Sequence, residues 1–129
     1  MGERCESQSS SGIIVSTGLG STAWLKSVVT GSLGVAHAMQ ESAGDVEYRP
    51  QPWDSPRLTF AVREPFPSRA SKAGLVFGYV DAGEPLRLRS RMPENGVVFS
   101  DGMEADYLRF TAGMEATVTV AATQGCLVV

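Results

Sequence analysis

A mainly β domain with one or two helices (α+β) is the fold class that this sequence predicts, and three observations predict it. One short apolar run near the start, Ile13 to Ser16, passes through a glycine-containing loop into a segment with helical spacing. Beyond Arg57 the chain divides into short strand-like runs set apart by turn signals. No second helical pattern lies between those runs, so neighbouring strands are expected to pair antiparallel.

The chain of 129 residues is sized for a single domain spanning residues 1–129. A chain of that length buries about two thirds of its unfolded surface, enough for a core without staples. Hydrophobic residues at 43% and charged residues at 19% exclude the disordered and fibrous classes. A net charge of −3 gives no basic footprint, so neither nucleic acid nor a membrane surface is an expected partner. No apolar run approaches the ~20 residues of a membrane-spanning helix. The first residues, MGERCESQSSSG, lack the apolar stretch of a secretory signal, and the expected location is cytoplasmic. Cys5 and Cys126 stand near opposite ends of the chain in no close-spaced pair, as two free thiols of a reducing compartment would.

The elements follow in order. Residues 1–11 are polar and serine-rich, a leading segment without periodicity. Ile13 to Ser16 reads as a buried strand. From Ser21, a plausible N-cap, Trp24, Val28, Val35 and Met39 form an apolar helical stripe, with Lys26, Thr30 and His37 on the other side. Gly31 and Gly34, each costing about 1 kcal/mol against Ala, are places for that helix to stop or bend. Gly44 to Arg57 carries three prolines and reads as a loop crossing. Leu58, Phe60 and Val62 then alternate with Thr59, Ala61 and Arg63, the pattern of a half-buried strand. Further strands are expected within 74–81, 85–92, 96–101, 116–123 and 126–129.

The loop between the first strand and the helix can be read in two ways. Gly18 and Gly20 let backbone approach a phosphate, and Ser16, Thr17, Ser21 and Thr22 add hydroxyls beside the positive end of a helix. The same residues also suit a plain strand-to-helix turn capped by Ser21. A P-loop is excluded, because Gly20 rather than Lys precedes Ser21. Gly18, Gly20 and Ala23 fit the dinucleotide spacing G-x-G-x-x-A, with Glu41 about 20 residues on, but no apolar run between Ala38 and Arg57 supplies the second parallel strand.

Other chemistry is sparse. The single His37 lies on the polar side of its helix, a surface position rather than a general base. Asp81, Glu84, Asp101, Glu104 and Asp106 sit at predicted turns, where acids are ordinarily solvated. Arg87, Arg89 and Arg91 share one face of a strand, which fits a solvated edge better than a polyphosphate stripe. Trp24 and Trp53 are candidates for stacking on a base, and Trp24 equally for core packing.

The segment GIIVSTGLGSTAW resembles the second signature of the NAD kinase family, D-G-x-x-x-S-T-P-T-G-S-T-A-Y. Ser16, Thr17, Gly20, Ser21, Thr22 and Ala23 match it in register, and Trp24 takes the aromatic place. GVVFSDGMEADYLRFTAGMEATVTV is similar to the family's late segment, and REPFPSR to a stretch of relatives labelled sugar kinases within the same diacylglycerol kinase-like superfamily. The chain departs from the pattern at Ser11, where the family has an acid, and at Gly18 and Leu19, where it has Pro-Thr. The family's histidine also has no counterpart in PFPSR.

The resemblance implies a β-sandwich-like C-terminal domain of a two-domain, ATP-dependent kinase. It implies nucleotide or dinucleotide contacts from Ser16, Thr17, Gly20, Ser21, Thr22, Ala23 and Trp24, with Asp101 added from the late segment. Thr22 and Ala23 would meet the adenosine part. NAD and ATP with Mg2+ are the implied ligands of a full-length parent, whose acceptor stays open among NAD, a sugar and a lipid. The G-G-D-G motif belongs to an N-terminal α/β domain, so the expectation is a chain without its catalytic partner domain and inactive alone. Homo-oligomerisation is implied as well. A non-catalytic assembly module that has lost ligand binding is the alternative.

Overall fold

The computed structural model describes residues 4–39, 46–100, 102–126 and 128. Strand β1 (Gly12–Ser16) leads through a 3-10 turn at Leu19–Thr22 into helix α1 (Trp24–Met39). Strands β2 (Leu58–Arg63), β3 (Phe77–Val80), β4 (Leu86–Arg89), β5 (Val97–Phe99), β6 (Tyr107–Arg109) and β7 (Glu115–Val118) follow. The expected mixed architecture is present: one α-helix and several antiparallel strands in small sheets, which close no barrel among the described residues. No described helix is long and apolar enough to cross a membrane.

The central sheet has the order β1-β2-β3, both pairs antiparallel. Ser16 lies opposite Thr59 and Gly12 opposite Arg63, while Thr59 also lies opposite Tyr79. This register sends Ile13, Val15, Leu58, Phe60 and Val80 to one face, because side chains alternate along each strand. There they pack with Leu86, Leu88 and Val118 of the β4–β7 ladder and with Leu75. Phe60 at 1% exposure and Val80 at 0% are its centre. Truncating Phe60 to Ala would cost about 3–5 kcal/mol on the scale of buried aromatic deletions.

The opposite face carries Ile14, Ser16, Thr59, Ala61 and Arg63, and α1 lies on it, packed against β1 and β2. Thr59 and Ala61 are therefore buried, not exposed as a half-buried strand would have them. Their small side chains leave the room a helix needs. Alpha-helix α1 buries Leu25 completely and Val28, Val29 and Leu33 in part, a stripe at spacings of three and four. Val35 and Met39, expected on the inner face with Val28, are exposed instead. The helix also runs unbroken through Gly31 and Gly34.

The polar leading segment is tied down. The Ser7 carbonyl accepts from Lys72 N–H, the Ser9 carbonyl accepts from Phe66 N–H, and Ser11 N–H donates to the Arg63 carbonyl. Glu6 accepts at Oε1 from the N–H groups of Gly74 and Leu75 and from Gln8 Nε2. Strand β6 fell outside the expected runs, and Cys126 and Val128 lie outside any strand, while Leu127 and Val129 are not among the described residues. Cys5 and Cys126 are both exposed free thiols.

Candidate nucleotide-contacting loop

Strand β1 ends where Ser16 turns inward, and its Oγ donates to the Thr17 carbonyl at 3.0 Å. The following residues wind tightly because their own polar groups close short rings. Gly20 N–H donates to Thr17 Oγ1 (3.2 Å), Ser21 N–H to the Gly18 carbonyl (3.2 Å) and Ala23 N–H to the Gly20 carbonyl (3.1 Å). This 3-10 turn stands where the expected helix start lay, and α1 begins only at Trp24. Ser21 does not cap α1.

Ser21 has a different task. Fully buried, it donates from Oγ to the Gly18 carbonyl at 2.6 Å and accepts there from Gln51 N–H at 3.1 Å. Its carbonyl accepts from the Tyr48 hydroxyl at 2.8 Å. Burial pushes that phenol above its ordinary range and keeps it a donor. The proline-rich crossing thus straps the loop from beneath. Its closest approach is at Gly18, where an added Cβ would lie only 1.9 Å from the Pro52 carbonyl oxygen.

The sequence-predicted residues accordingly separate into two sets. Ser16 and Ser21 face inward and hold the loop, whereas Thr17, Thr22, Ala23 and Trp24 face outward. Gly20 is half-buried between them. Thr22 Oγ1 makes one long bond, 3.4 Å, to the Leu19 carbonyl, which leaves its hydroxyl oxygen free to accept. Trp24 is 42% exposed, so it is not core packing. Asp101 lies outside the described residues. Three of the loop's N–H groups are engaged internally, and the loop's surface offers hydroxyls and an indole.

Sequence reasoning missed three contributors. Tyr48 and Gln51 lie in a stretch whose composition signals only a loop. Arg63 stacks its guanidinium on the Trp24 ring, 4.5 Å from the centroid, a contact set by the β1–β2 register. Elsewhere, Arg57 stacks on Tyr79 at 4.9 Å and pairs with Asp81 at 2.8 Å. Of the expected basic stripe, β4 carries Arg87 and Arg89 and ends there, so Arg91 lies beyond the strand; Arg89 is engaged by Glu115 at 3.9 Å and Arg91 donates to Ser7 Oγ at 2.9 Å. Among the described residues no three His, Cys, Asp or Glu side chains converge on a point where a metal ion could be held.

No protein-family model, curated protein or solved structure matches the chain.

Proposed function

We propose that this chain is a nucleotide- or dinucleotide-binding domain of the NAD kinase-like type, which binds ligand at the β1–α1 loop and does not itself transfer phosphate. One observation carries the reading. The seven signature residues divide as a ligand loop requires, with Ser21 locked beneath and Thr22, Ala23 and Trp24 all exposed at the surface. An adenine ring fits against the part of the indole that Arg63 leaves exposed, and ribose hydroxyls fit the Thr22 and Thr17 oxygens. The packing of the β4–β7 ladder on the central sheet supports the β-sandwich-like relationship.

Phosphoryl transfer rests on positioning and on charge stabilisation by metal and cationic groups. In the resembled family the G-G-D-G segment in another domain supplies it, which is why binding and not turnover is assigned to this chain, with the kinase domain as its partner. Calorimetry with NAD, NADP, ATP and ADP tests the reading. Saturable binding that Thr22→Ala abolishes is expected, and the absence of binding by all four overturns it. Robust NADP formation from NAD and ATP by this chain alone would overturn the assignment of binding without turnover.

A second reading, an assembly module, is favoured by the β5–β6 hairpin. Val97, Val98, Phe99, Tyr107 and Leu108 are all exposed, so both faces of this two-stranded ribbon present apolar surface. A second copy of the chain is the proposed occupant, and the two readings are compatible because the hairpin is not part of the loop.

A further inference from the structure

We infer that Arg63 is the phosphate-recognising residue of the candidate loop, its guanidinium held over Trp24 where it meets the anionic group of a bound nucleoside phosphate. The inference rests on the proposed nucleotide binding and adds to it the residue that reads the ligand's charge.

Three observations carry it. First, Arg63 is stacked on the indole face of Trp24 at 4.5 Å. A guanidinium held over a ring face keeps a planar fork of N–H donors, the geometry that matches two oxygens of a phosphate. Second, Arg63 has no carboxylate partner among the described residues, whereas Arg57 and Arg89 are paired with Asp81 and Glu115. A half-buried cation without a counter-ion among the described residues, held over a ring, is already arranged to receive an anion.

Third, there is room for one. Gly12 lies directly opposite Arg63 across the β1–β2 ladder, where a side chain would stand about 5 Å from the arginine's own Cβ. A Cβ built on Gly12 meets nothing within 4 Å, so the space beside the arginine stem is open. The notch has Arg63 on one side, and Trp24 continues in the chain to Ala23 and Thr22, the two residues proposed to meet the adenosine part. A ligand with its base on the indole would place its phosphate within reach of the guanidinium. A free phosphate could occupy the same notch, and the test separates the two sources.

Calorimetry of the full chain is run with adenosine, AMP, ADP and inorganic pyrophosphate, for the wild type, Arg63→Ala and Arg63→Lys. Each variant's circular dichroism is compared with the wild type. The wild type is expected to bind AMP and ADP about tenfold or more tighter than adenosine, a preference that weakens with added salt. Arg63→Ala should erase that preference, so that AMP and ADP bind the variant no tighter than adenosine does. Arg63→Lys, which keeps the charge but not the fork, should retain part of it. Weak pyrophosphate binding beside tight ADP binding marks a nucleotide site, whereas pyrophosphate binding as tightly as ADP overturns the coupling to the adenosine contact. If the wild type binds ADP no better than adenosine, or Arg63→Ala weakens both equally, the role assigned to Arg63 fails while nucleotide binding stands. If no nucleoside or nucleotide binds, both fall together.

Discussion

The amide of Gln51 donates to the Oγ of Ser21 at 3.1 Å, across thirty residues of sequence, and this bond joins the loop crossing to the signature loop. Ser21 Oγ also donates to the Gly18 carbonyl, which keeps its bond from Ser21 N–H, so removing the hydroxyl loses a buried hydrogen bond and leaves the Gln51 N–H without its acceptor. Ser21→Ala is therefore expected to lower stability by about 2 kcal/mol, with Ser21→Thr less harmful if the added methyl is accommodated. Urea unfolding at equilibrium measures it. A change within about 0.5 kcal/mol would show that the hydroxyl is not structurally used.

Gly18 and Gly20 should respond differently to the same substitution. Gly18 has an ordinary helical φ of −54°, so only the closeness of Pro52 requires a glycine there. Gly18→Ala must push backbone away from backbone, a change expected to cost about 2–3 kcal/mol and to loosen the strap. At Gly20 the nearest obstacle to a Cβ is the Ser16 hydroxyl at 2.9 Å, which can rotate. Thermal midpoints of the two alanine variants are expected in the order Gly18→Ala below Gly20→Ala, and the reverse order would contradict the crossing geometry.

These two positions also show what could be read from the chain beforehand. Hydroxyls and glycines at residues 16–22 announce a polar turn, but which hydroxyl points outward depends on Tyr48 and Gln51, contacts no local pattern encodes. The strand at 58–63 was legible from its alternation, while the burial of Thr59 and Ala61 required knowing that α1 lies on that face. The helix was legible as an element, but its start at Trp24 after a 3-10 turn, its unbroken run through Gly31 and Gly34 and its buried stripe through Leu25 and Leu33 were not. Strand β6, three residues long, is too short for a period and exists by pairing with β5. Arg63 could be joined to Trp24 only through the register that puts it opposite Gly12.

The leading segment should loosen in acid. Hydrogen bonds from Gln8, and next from the Leu75 amide, hold the Glu6 carboxyl below its ordinary range. A depressed carboxylate stabilises the fold in full above its unfolded pKa, and that contribution is lost as pH falls through the lower folded value. The difference in thermal midpoint between wild type and Glu6→Gln should thus be largest near neutral pH and shrink on acidification. Protection factors at the Gly74 and Leu75 amides, measured against the intrinsic exchange rate at each pH, should fall over the same interval. A difference that is constant with pH would mean that the charge of Glu6 plays no part.

Self-association through the β5–β6 hairpin is the remaining expectation. Leu108, at 72% exposure, stands opposite Val98 at 41%, so the pair presents one apolar patch, while Val97, Phe99 and Tyr107 present another on the reverse face. An isolated two-stranded ribbon gains little stability by itself, and covering each large side chain in an interface returns about 1.5–3 kcal/mol. Light scattering of the wild type should show apparent mass rising with concentration, and Leu108→Lys should hold the chain monomeric. Because that side chain is already in solvent, the substitution should leave unfolding of the monomer unchanged. Nucleotide affinity should survive it too, since the hairpin contributes nothing to the loop around Trp24. A wild type that stays monomeric at high concentration would remove the second copy as occupant. Loss of ligand binding in Leu108→Lys would instead mean that loop and hairpin are coupled through the assembly.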